Sequence, residues 1–138
     1  MKPHVKIVTI PMYYRGVLVF IGSSEQLMGY LDRHYPSYAS VVQTFEYTRA
    51  AAYTFKLDSD ALIFAPQIPS SAEMIHEIFH AARHILDIVG VSLSDETEEV
   101  YAYLLEYLSE QILPWLKTFS CGSPSSSSWG VSSHSRER

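Results

Sequence analysis

The residues with the clearest chemical potential are His76-Glu77-Ile78-Phe79-His80. On a helix, positions four apart stand about one turn from each other, so both imidazoles project from one side. Two histidines so placed can share one zinc ion, and a carboxylate beside them can take a proton from a zinc-held water and pass it to a leaving amine. That chemistry needs a third protein ligand and an open position for water. The remaining composition narrows the choice of that ligand. With one cysteine, Cys121, the chain has neither an internal disulfide nor a cysteine-rich metal site, so histidine and carboxylate must supply it.

Candidates stand eighteen and nineteen residues beyond His80, where Glu98 and Glu99 open the next helix. The helical wheel sets Val100, Tyr101, Leu104, Tyr107, Leu108 and Gln111 on a mainly apolar side, and Glu99 opposite, with Ala102, Tyr103, Glu106 and Glu110. Ala102 would allow close approach of the first helix, which favours Glu99 over Glu98 as third ligand. Tyr103 is one turn past it, and its phenol could donate to a developing oxyanion. His84 is one turn beyond His80, about 6 Å along the axis, too far to join the same ion. Asp87 could orient a ligand histidine, but pairing with Arg83 four residues earlier is favoured.

The elements that must position these groups read as strands first and helices last. Val5–Met12 and Val17–Ile21 are apolar and β-branched around a Tyr13-to-Gly16 turn, and Ala51–Leu57 and Ala61–Ala65 suggest a second hairpin around Asp58 to Asp60. Ser23 or Ser24 can cap a short helix to about His34, ended before Pro36, while residues 37–49 read ambiguously. The histidine helix starts after a Ser70 or Ser71 cap and stops at Gly90, with Ile75, Ile78, Phe79, Ala82, Ile85, Leu86 and Val89 as its apolar face. The next has Ser94 as cap, runs to about Lys117, and contains Pro114 near its end. The expected class is α+β, a small, mainly antiparallel sheet packed on helices.

Across 138 residues, 47% are hydrophobic and 18% charged, enough for one folded domain, expected over residues 1–119. Residues 120–138, with nine serines, read as a flexible tail. A net charge of -5 lacks the basic footprint of a general nucleic-acid binder. No apolar run approaches the ~20 residues of a membrane span, and no signal-peptide segment opens the chain, so a cytoplasmic protein is expected.

The runs HEIFHAARHILDIVG and SDETEEVYAYLLEYL resemble those of small zincin-like proteins encoded by bacteriophages and prophages, and are similar to minimal gluzincins. The resemblance is clearest from about Ala61 to Ile112. The metzincin pattern is absent, since Arg83 and Leu86 stand where it needs glycine and histidine. The resemblance implies a zincin-like fold, His76, His80 and Glu99 on Zn2+, Glu77 as general base, and a peptide or protein substrate. A rival reading is an interaction or assembly protein in which the same site is structural or idle.

Overall fold

The computed structural model describes residues 1–38 and 50–120. Residues 39–49 of the ambiguous segment and the serine-rich tail beyond Ser120 therefore lie outside the described residues. Strands β1 (His4–Ile10) and β2 (Arg15–Ile21) form the first hairpin, and α1 (Ser24–His34) follows. A 3-10 turn (Pro36–Tyr38) precedes β3 (Tyr53–Leu57) and β4 (Asp60–Ala65), and α2 (Ser71–Ile88) and α3 (Glu98–Ser120) are the last described elements. The class is α+β, as the patterning implies.

The sheet order is β1-β2-β4-β3. Both hairpins are antiparallel, but β2 and β4 pair in parallel at the centre, from Val17 opposite Ala61 to Ile21 opposite Ala65. The sheet is thus mixed. Its central strands are covered on both faces, which explains the uninterrupted apolar runs Val17-Leu18-Val19-Phe20-Ile21 and Ala61-Leu62-Ile63-Phe64-Ala65. On one face Leu18, Phe20, Phe55, Leu57, Leu62 and Phe64 bury Leu27 and Leu31 of α1. On the other, Val17, Val19, Ile21, Ala61 and Ile63 pack against α2 and α3. The described residues form three layers, helix, sheet and helix pair.

Local signals define α2 closely. Ser70 accepts from the Glu73 amide and the Glu73 carboxylate accepts from the Ser70 amide, a reciprocal capping box. At the other end Gly90 adopts φ +82°, the Gly90 amide bonds the Asp87 carbonyl, and the Val91 amide bonds the Leu86 carbonyl. This is a Schellman stop, which strains any residue with a Cβ at position 90. Helix α3 starts later than the Ser94 signal implies. Residues Ser94 to Thr97 form a turn, and the Thr97 carbonyl takes the amides of Val100 and Tyr101. Only Glu98 and Glu99 then remain as acids in its first turn.

The buried stripe of α2 is Met74, Ile78, Ala81, Ala82, Ile85 and Leu86, whereas Ile75 is 48% exposed. The helix is rolled by about one position from the apolar face drawn from Ile75. Ile85→Ala should therefore lower unfolding free energy by about 2–5 kcal/mol, a buried-cavity cost. Ile75→Ala should cost under ~1 kcal/mol, as at a partly exposed site. Urea titrations with unchanged slope test the pair, and equal losses would contradict this roll.

Candidate active site

α2 lies over β3 and β4, with α3 along its other flank. Burying the apolar stripe leaves His76, His80, Arg83 and Asp87 exposed beside β3, one of the two edge strands among the described residues. Between them runs a groove of about 550 Å³, lined by Thr54 and Lys56 of β3 and by His76, Glu77, His80 and His84 of α2, among others. It continues past His76 into a shallower space of about 400 Å³ bordered by Ala50, Ala51, Ala52 and Ala72.

Three of the residues singled out by spacing meet here. The His76 and His80 Nε2 atoms are 3.1 Å apart, with the rings edge to face. Two imidazole nitrogens bound to one tetrahedral zinc at about 2.0–2.1 Å would stand ~3.3 Å apart, so the pair fits a shared cation with little adjustment. Glu77 is set differently from its neighbours, only 7% exposed. The Thr54 hydroxyl donates to its Oε2 at 2.5 Å and also lies 3.2 Å from the Glu77 carbonyl oxygen. Its other carboxylate oxygen, Oε1, is 4.0 Å from His76 Nε2. One oxygen is thus tied to the sheet and the other faces the histidines.

Glu99 and Tyr103 do not join them. Tyr101, Leu104, Leu108, Ile112 and Leu116 are the residues α3 buries, while Glu98, Glu99, Ala102, Tyr103, Glu106 and Glu110 are exposed. Apolar burial outweighs the small side chain of Ala102, so the side carrying Glu99 turns to solvent rather than to α2. Tyr103, 68% exposed, borders a separate apolar groove with Ile10, Met12, Leu104 and Tyr107. Among the described residues no three His, Cys, Asp or Glu side chains converge as a ligand set. Nor does Arg83 pair with Asp87 there.

Three lining residues were not singled out by spacing alone for the parts they take. Thr54 and Lys56 face α2 because Phe55 and Leu57 alternate into the opposite core cluster, a period-two signal present in the sequence. His84 sits only 8% exposed, with neither ring nitrogen hydrogen-bonded among the described residues. No family model, curated protein or solved structure matches the chain.

Burial holds the His84 pKa below 6.5, and nearby Lys56 acts in the same direction, against weaker opposition from the Asp60 backbone and the Asp87 carboxylate. The folded state therefore resists a proton that the unfolded chain accepts. Its contribution to stability is present above about pH 6.5 and is lost as pH falls below that value. His84→Leu should flatten the decline in unfolding free energy between pH 7 and 5.5 relative to wild type, as read by urea titration at each pH. Parallel profiles would remove His84 as the cause.

Proposed function

We propose that this chain is a zinc-dependent hydrolase of peptides with a zincin-like arrangement, a histidine-pair helix beneath an outer strand. The observation that carries the reading is the 3.1 Å approach of the His76 and His80 Nε2 atoms beside a Glu77 carboxylate anchored by Thr54. His76 and His80 would hold the ion, and zinc bound there brings the pKa of the water it holds toward ~7. Glu77 acts as general base through Oε1 and returns the proton to the leaving amine, while Thr54 keeps Oε2 occupied and the carboxylate aimed. β3, an edge strand among the described residues, lies where an extended peptide can pass along the groove. Glu99 is kept as the proposed third ligand on its spacing and on the gluzincin resemblance. To serve, the first turn of α3 must come to the groove. Tyr103 as oxyanion donor requires the same movement.

A second reading draws on the separate apolar groove, where Met12 and Tyr103 are strongly exposed beside Ile10 and Tyr107. Such a surface suits a protein partner, with the histidine site structural or idle.

Elemental analysis after zinc reconstitution should give about one zinc per chain, reduced by His76→Ala and by His80→Ala. Glu77→Gln should keep zinc and fold yet lose peptide hydrolysis by at least ~100-fold, the lower range for a general base. Zinc retention without cleavage of any peptide by the wild type would favour the second reading, and absence of zinc would end the hydrolase reading.

The third ligand is separable from the pair. Glu99→Gln should weaken zinc binding at least ~10-fold in competition with a chelator, and Glu98→Gln should leave it nearly unchanged, although both acids gain similar helix-dipole stabilisation. The reverse ranking would transfer the role to Glu98, and two negligible effects would remove α3 from the site.

A further inference from the structure

The groove does not end at His80. One turn further along α2, Arg83 and His84 line it together with Lys56 from β3. Arg83 and Lys56 are exposed, and neither makes an ion pair or hydrogen bond among the described residues. The His84 ring borders the same space, its two nitrogens buried out of reach of solvent and without a partner among the described residues. Asp87 is the acid at this end, and it offsets one of the two fixed positive charges. The Lys56 ammonium supplies a point charge for an arriving oxygen anion. A planar guanidinium beside it matches the two oxygens of a carboxylate.

Distance supplies the second half of the inference. The midpoint of the histidine pair falls near position 78, and Arg83 and His84 lie five to six residues on, ~8 Å along the helix. An extended chain covers ~3.3–3.6 Å per residue, so this gap equals about two residues of peptide.

We propose that Lys56 and Arg83 form a carboxylate subsite at the end of the groove, and that the favoured peptides carry a carboxylate about two residues from the cleaved bond. The cleavage itself rests on the hydrolase reading; the binding preference does not. Two sources could present this carboxylate, the C-terminus of a peptide or an acidic side chain.

The test uses three dansyl tetrapeptides with the full-length, zinc-reconstituted protein. They are Ala-Phe-Ala-Ala with a free C-terminus, the same peptide amidated, and amidated Ala-Phe-Ala-Glu. Anisotropy gives their affinities and mass spectrometry follows cleavage in the same samples. The free acid should bind ~10-fold tighter than its amide, the scale expected for one charge-assisted contact. The preference should vanish in the Lys56→Gln, Arg83→Gln double variant, whose changes are at exposed positions and spare the core. Tight binding of the glutamate peptide would show that a side-chain carboxylate also serves, and weak binding would assign the subsite to the C-terminus alone. Equal or undetectable binding of all three, or a preference that survives the double variant, would overturn the proposal. Intact peptides with the preference retained would instead refute hydrolysis and leave the subsite standing.

Discussion

Which way α2 is rolled decides what the groove contains. Met74, Ile78, Ala81, Ala82 and Ile85 are fully buried against the sheet and α3. At ~25 cal/mol per Å² of apolar surface removed from water, such a stripe outweighs the preferences of any polar residue on the same helix. Once it is satisfied, His76, His80, Arg83 and Asp87 have only the β3 side on which to stand. A rotation by one residue would carry the histidines away from Thr54 and separate them from the strand.

The same roll explains the unequal surroundings of Glu77 and its neighbours. Position 77 lies at the border of the buried stripe, so its carboxylate is largely removed from water while His76 stays exposed. A carboxylate there needs a donor, and Thr54 provides one from the outer strand. His84, two turns on, occupies the same border without such a partner among the described residues. One border position is thus satisfied by the strand, and the other is buried without a partner among the described residues.

The histidine helix was legible in the sequence because independent signals agree on it, a Ser70 capping box, a 3.6-residue apolar period and the Gly90 stop. The hairpins were legible as well, from apolar runs bounded by turns. The parallel pairing of β2 with β4 was not, since long-range pairing leaves no local trace in either strand. The orientation of α3 was misread for a different reason. A small alanine suggested close helix approach at Ala102, but Tyr101, Leu104 and Leu108 carry far more apolar surface and take the inner side. The Ser94 signal marked a turn, with the helix beginning after Thr97.

The central claim is that His76 and His80 together bind one metal ion. X-ray absorption at the zinc edge of the reconstituted protein tests it most directly, because imidazole rings give distinct outer-shell scattering. The account predicts two imidazoles per zinc at about 2.0–2.1 Å, both features falling together in His80→Ala. A shell of oxygen atoms with no imidazole contribution, or a spectrum unchanged by His80→Ala, would contradict it.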